Sequence, residues 1–231
     1  MPTILAIWKP KGPTSHDVVD AVRRITGERR VGHAGTLDPA AEGVLVIGIG
    51  REATKHLANE VAKEKEYVAT IRLGAESTTD DSEGEITPPP SHSPSHREGE
   101  KVGVGRSAIE RVLPHFVGHI SQVPPAYSAV KLKGTPAYKL ARRGRVPELK
   151  PRTVEIKEIE LLESNGALLT LRVVCGPGTY IRSLARDIGH ALGVGGYLTN
   201  LTRTRVGTYT KATALTLEEF RDRWPNIASG H

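Results

Sequence analysis

Aromatic residues make up only 4% of this 231-residue chain, which has one cysteine, one methionine and two tryptophans. A single thiol excludes an internal disulfide framework, so burial has to hold the fold. With few rings to bury, Val, Leu, Ile and Ala must fill the core, from a hydrophobic fraction of 38%. The length suits one large domain, or one domain with a small appendage. Long apolar runs are also missing. The N-terminal MPTILAIWKPKG is too short in its apolar part for a signal peptide or a membrane span, so a cytoplasmic protein is expected. Internal repeats and sustained heptads are absent.

Signatures of nucleotide and metal binding are thin. GVLVIGIG lacks the Lys-Ser/Thr ending of a phosphate loop, and GIGREA and GVGRSA lack the third glycine of a dinucleotide turn. Their glycines read as turn and packing positions. His92 and His96, in SHSPSH, have no cysteine or carboxylate at ligand spacing, so a solvated loop is expected there and no metal site. Cys175 ends a strand-like run with no local histidine, which suits a buried apolar role over a catalytic thiol.

Positive charge, by contrast, is present. Lys and Arg number 32 against 26 Asp and Glu, for a formal net charge of +6 and a pI near 9.5. Such a balance fits a polyanionic partner, nucleic acid first and an anionic membrane surface second. CGPGTYIR could present backbone N–H groups at a helix start, which suits a phosphate.

Patterning alternates strands and helices without regular βαβ order. ILAIWKP reads as a strand. HDVVDAVRRITG reads as a helix, capped by Thr14 or Ser15 and closed by Gly27. GVLVIGIG is a buried strand, EATKHLANEVA a helix and KEYVATIRLG an alternating strand. Residues 77–105 are rich in Pro, Ser and Gly and read as a long exposed connection, partly disordered and mobile. SAIERVLPHFVGHI returns to helical spacing. TVEIKEIELLES and ALLTLRVVCG form a hairpin about Ser-Asn-Gly. TYIRSLARDIGHALG is a helix stopped by Gly193, and TLEEFRDRWP opens a last short helix with a threonine cap. The class is α+β, with a mixed, mostly antiparallel sheet flanked by helices.

Two residues stand out. Asp38 lies in a turn before Pro39, where its carboxylate can bond backbone N–H groups. Arg182 lies in a helix's first turn, where its charge opposes the helix dipole and calls for a partner. A buried carboxylate–guanidinium pair is one reading, although sequence spacing cannot bring the two together.

Six blocks fall in the order of one family: KPKGPTSHDVV, GHAGTLDPAAEGVLVIGIGREATK, KEYVATIRLG, QVPPAYSAVKLKGTPAYKLARRG, GPGTYIRSLARDIG and LTRTRVGTYT. In this the chain resembles the tRNA pseudouridine synthase B family over residues 8–210. The resemblance implies a pseudouridine synthase fold with a basic RNA-gripping insertion. It also implies cofactor-free isomerisation of uridine to pseudouridine at position 55 of the tRNA T-loop. Asp38 matches the catalytic aspartate, which attacks C1′ or assists proton removal. Arg182 matches the arginine paired with it, and Tyr67 an active-site tyrosine that is a candidate base for the sugar proton and packs the uracil.

By the same resemblance His33 supports flipping of the target base, Tyr180 stacks on a base and Leu201 lines the pocket. Lys9 and Lys65 are expected phosphate contacts. Lys131, Arg142 and Arg143 belong to the basic insertion of residues 131–145, whose cations suit backbone contact. The expected division is a catalytic domain over 1–213, with a mobile insertion at about 122–150, and a short helical tail over 214–231. The expected partner is the T-arm of tRNA, with no metal, cofactor or obligate protein partner, and with a monomeric chain. Two departures stand out: CGPGTY, with Gly176 and Pro177, and Thr202 where an arginine is common. The expectation is a catalytic domain without the C-terminal PUA domain that longer relatives often carry. An RNA-binding or RNA-folding protein on the same fold, or a synthase for another structured RNA, is the alternative.

Overall fold

The computed structural model describes residues 3–88, 104–132, 134–141, 143–145 and 147–229. Along the chain run β1 (Thr3–Lys9), α1 (Ser15–Thr26), β2 (Val31–Ala34), β3 (Glu42–Ile49), α2 (Arg51–Val61) and β4 (Lys65–Leu73). Next come β5 (Glu76–Ser77), β6 (Ile86–Thr87), α3 (Arg106–Val112), a 3-10 turn (Leu113–Phe116), β7 (Gly118–Gln122), β8 (Lys131–Leu132), β9 (Thr135–Pro136) and α4 (Ala137–Ala141). β10 (Arg152–Ser164), β11 (Leu168–Cys175), α5 (Ile181–Ala191), β12 (Gly196–Val206), β13 (Tyr209–Thr210) and α6 (Leu217–Ser229) complete the order. Two compact units result, one of residues 1–68 with 201–231 and the other of residues 69–200.

In the first unit the strand order is β1-β3-β12-β4, with β2 also on β3 and β13 on β12. β1 runs antiparallel to β3 from Thr3 opposite Ile49 to Lys9 opposite Gly43, filling one edge of β3. The other edge is shared. β2 lies opposite Val46 to Ile49, while β12 lies parallel to β3 at Glu42 and Gly43. Residues 35–41 leave the sheet at the changeover, and Asp38 sits in this segment.

The unbroken apolar run of β3 reflects burial on both faces. Leu45, Ile47 and Ile49 pack with Ile7, Val18, Val19, Val22 and Phe220, whereas Val44 and Val46 pack with Ala34, Leu57 and Val206. α1 supplies its apolar face through Val18, Val19 and Val22. It begins at a capping box in which Thr14 and Asp17 serve each other's backbone N–H, and it ends at Gly27 in the left-handed conformation. α6 begins at a second such box, Thr216 with Glu219. It places Phe220, 0% exposed, in the same cluster as α1. The helix that TLEEFRDRWP opens runs through Pro225 to Ser229. Packing of its apolar face thus outweighs the hydrogen bond that Pro225 cannot donate.

In the second unit the order is β12-β4-β11-β10-β7. β10 and β11 form the expected hairpin, whose turn is closed by the Asn165 side chain accepting from the N–H groups of Ala167 and Leu168. β7 pairs antiparallel with β10. α5 buries Ile181, Leu184, Ala185 and Ile188. Gly189 allows the backbone of Gly195 and Gly196 to approach so closely that any Cβ would overlap it.

Two expectations for this unit are corrected. The helical spacing over 107–120 resolves into α3, a 3-10 turn and β7, because Pro114 has no N–H to continue an α-helix. The start of the supposed exposed connection is an ordered hairpin, β5 with β6, whose turn buries Asp81. Residues 89–103 lie outside the described residues, as do His92 and His96. Within 122–150, Val130, Ala137 and Leu149 form a small apolar cluster with Leu132 and Tyr180 beside it. The α+β class with a mostly antiparallel sheet holds, β3 with β12 being a parallel pair.

Candidate active site

Asp38 stands in a loop whose main chain is fastened from the interior of the first unit. On the preceding residue, Leu37, the N–H donates to Ser15 Oγ at 2.8 Å, and that hydroxyl donates to the Leu37 carbonyl at 2.9 Å. On the following residue, the Pro39 carbonyl accepts from Gly12 N–H at 2.9 Å and from Lys9 Nζ at 3.4 Å. The Asp38 carbonyl accepts from Ala41 N–H at 3.1 Å. From β12, Arg203 donates through Nε to Val44 at 2.8 Å and through its terminal nitrogens to Gly35 at 3.0 Å and Thr36 at 3.5 Å. Lys9 and Arg203 are 0% and 1% exposed. Buried polar groups of this kind are tolerated only when hydrogen-bonded, and here carbonyl oxygens of the loop and its flanks satisfy them.

The Lys9 ammonium is held below its ordinary pKa first by burial and further by Arg203, while the charge of Asp38 opposes both. Lys9 also donates to Pro10 and Pro13, each at 2.8 Å. This arrangement corrects the expectation of a phosphate contact, since a buried ammonium aimed at three carbonyls is a strut under the loop. Lys65 is corrected in the same way. It is buried, and its ammonium donates to the carbonyls of Val61 at 2.7 Å and Lys63 at 2.6 Å, capping the end of α2.

His33, in β2, is pushed below its ordinary pKa by burial, then by Arg203 and His16. Its imidazole is therefore neutral near pH 7. Tyr67 is buried in β4, and Leu201 is half-buried in β12. Lys9, His33, Asp38, Lys65, Tyr67 and Leu201 all belong to the first unit.

Tyr180, Arg182, Lys131 and Arg143 belong to the second unit. Tyr180 is the N-cap of α5 and is held by Gln122, whose side-chain amide accepts from the Tyr180 N–H at 2.9 Å and donates to its carbonyl at 3.1 Å. Within the first turn, Arg182 meets the Asp81 carboxylate at 3.3 Å, the Thr79 carbonyl at 3.3 Å and the Tyr127 carbonyl at 2.9 Å. Four residues on, Arg186 meets Asp80 at 2.7 Å and the Val123 carbonyl at 3.0 Å. Burial raises the Asp80 carboxyl above its ordinary pKa, against the opposing pull of Arg186 and Arg182.

Sequence reasoning assigned no role to Asp80, Asp81, Gln122 or Arg186. One signal was available. Arg182 and Arg186 lie on one helical face, and consecutive aspartates stand in a stretch otherwise poor in anchors. Lys131, Lys139, Arg143 and Arg145 are exposed, as a backbone-contacting surface requires, whereas Lys133 and Arg142 lie outside the described residues.

The description "TruB family pseudouridylate synthase (N terminal domain)" matches residues 23–181, and "tRNA pseudouridylate synthase B C-terminal domain" matches 182–228. The chain is 50% identical over 224 residues to a tRNA pseudouridine synthase B of Thermobifida fusca, covering 94% of this chain and 73% of that one. It is 47% identical over 229 residues to the protein of that name from Corynebacterium diphtheriae, covering 97% and 74%. Among solved structures it is similar to a chain of a Cbf5-Nop10-Gar1 complex, with a TM-score of 0.71 and 33% identity over 98% of this chain. It spans only 56% of that chain, little more than half its length. On the matched residues, the identities and the fold, the chain belongs to the TruB family of pseudouridylate synthases.

Proposed function

We propose that the protein isomerises uridine to pseudouridine in tRNA, at position 55 of the T-loop, with Asp38 as the reacting carboxylate. The observation that carries this reading is the Asp38 loop, fastened on both sides of the residue by Ser15, Lys9 and Arg203. It occurs in a chain half-identical to a tRNA pseudouridine synthase B. A carboxylate that must reach C1′ of a ribose needs such a fixed mount.

The reaction balances within the substrate. The C1′–N1 bond breaks, the uracil turns in place, a C1′–C5 bond forms, C5 loses a proton and N1 gains one. No electrons enter or leave, so no redox partner is needed. Asp38 either attacks C1′ or assists removal of a proton from the sugar. Tyr67 is the proposed proton acceptor and also packs the uracil. Leu201 lines the pocket for the base, and neutral His33 takes up the space that the base vacates. Extrusion of the uridine costs a few kcal/mol, offset by stacking and phosphate contacts. The exposed cations of residues 131–145 are the proposed backbone grip, acting on the T-arm as a monomer. Lys9 and Lys65 take no part in it.

Incubation of the protein with a tRNA transcript, followed by mapping of pseudouridine, tests the reading. One modified site in the T-loop is expected. Asp38→Asn should lower the rate by several orders of magnitude and leave tRNA affinity within about tenfold, or about 1.4 kcal/mol. A near-normal rate in that variant, or no pseudouridine from the unaltered protein, defeats the reading.

A further inference from the structure

We propose that Arg203 is a positioning residue for the reaction, setting from β12 the path of the loop that presents Asp38. The inference rests on the reading of Asp38 given above. Arg203 does not need to touch RNA for this role. At 1% exposure its guanidinium is enclosed, and its acceptors flank Asp38 in sequence: Gly35 and Thr36 before it, Val44 after it.

The topology explains why a guanidinium is used. Where β2 ends and β12 takes over the edge of β3, residues 35 and 36 have left the ladder, and their carbonyls need donors from elsewhere. A planar fork can serve several oxygens at fixed angles, whereas an ammonium is a point charge on a flexible stem. The stem of Arg203 is itself fixed. Opposite it stands Gly43, at φ +125°, where any Cβ would overlap the Arg203 backbone. The two strands therefore meet more closely than any other residue at position 43 allows. With Ser15 on Leu37 and both Gly12 and Lys9 on Pro39, the main chain is held at 35, 36, 37 and 39. Asp38 then projects from a mount with little freedom to shift.

The test uses the full chain with Arg203→Lys, and with Phe220→Leu as a control that loosens the same unit's core elsewhere. Three quantities are read: the single-turnover rate of pseudouridine formation at saturating protein, tRNA affinity, and amide hydrogen exchange across residues 35–41. For Arg203→Lys the expected results are a rate lower by about 10–100-fold, tRNA affinity within about threefold, and faster exchange at Leu37 and Ala41. Phe220→Leu should lose stability while keeping its rate per folded molecule.

A wild-type rate in Arg203→Lys overturns the proposal, and so does a rate loss that the control reproduces at equal stability. Should Arg203→Lys fail to fold, Arg203→Gln keeps a planar donor and carries the same three measurements. If the unaltered protein forms no pseudouridine, the function proposed above fails. The exchange measurement still decides whether Arg203 holds the loop, and unchanged exchange overturns that claim.

Discussion

His33 is disfavoured as a cation by burial, by Arg203 and by His16 together. Because its folded pKa is depressed, the unfolded chain takes up a proton first as pH falls below about 6.5. In that range the unfolded state binds more protons than the folded one, so stability rises with pH and is lost on acidification. Urea unfolding between pH 7.5 and 5 should show this slope, and His33→Gln should flatten it; an unaltered slope would assign the acid sensitivity to other groups. Arg182 makes a different demand. It and Asp81 are nearly enclosed, with side chains 9% and 10% exposed. Removing the cation strands the carboxylate, so Arg182→Ala should cost about 3–5 kcal/mol, read as a drop in the urea midpoint. At this scale the site was legible only in part. The need of Arg182 for a partner was legible from its place in the first turn of a helix. Asp81 was not legible, because an aspartate in a Ser- and Pro-rich stretch reads as solvated until the hairpin of β5 and β6 is seen to turn it inward.

Among the elements, α1 shows most directly how local sequence reaches the site. Its cap, its apolar face and its glycine stop were all readable in TSHDVVDAVRRITG, because capping and helical period are local. The next residue after the cap, Ser15, does the distant work of clamping Leu37. Thr14→Ala removes the capping hydroxyl that accepts from Asp17 N–H. It should destabilise the chain by about 1 kcal/mol in urea unfolding; a loss below about 0.3 kcal/mol would mean that Asp17 alone secures the end. Strands were legible where a periodic or continuous apolar run marked them, as in β3 and β4. The segment 107–120 misled because its apolar spacing fits a helix and only Pro114 speaks against one. Lys9 misled for a related reason. A lysine beside two prolines reads as exposed, and only the folded loop supplies the three carbonyls that enclose it.

At the scale of the whole chain, the assembly of one unit from both ends of the sequence was not readable, because it depends on β12 lying beside β3 across some 160 residues. Net charge was readable, and it carries the last expected outcome. Lys131, Lys139, Arg143 and Arg145 are all exposed within one short stretch, so each is free to sit near a phosphate. Every phosphate neutralised releases condensed counterions and adds about −0.7 to −0.9 to the slope of log affinity against log salt. Replacing Lys139, Arg143 and Arg145 by glutamine should therefore weaken tRNA binding most at low salt and flatten the slope by about 2–3. Such contacts carry little sequence information, so the same loss is expected on tRNAs of different T-arm sequence. The rate at saturating protein should change far less than in Asp38→Asn, because these side chains hold RNA and leave the loop of residues 35–39 untouched. Filter binding at several salt concentrations measures the slope. An unchanged slope in the triple variant would mean that the RNA is gripped elsewhere on the surface.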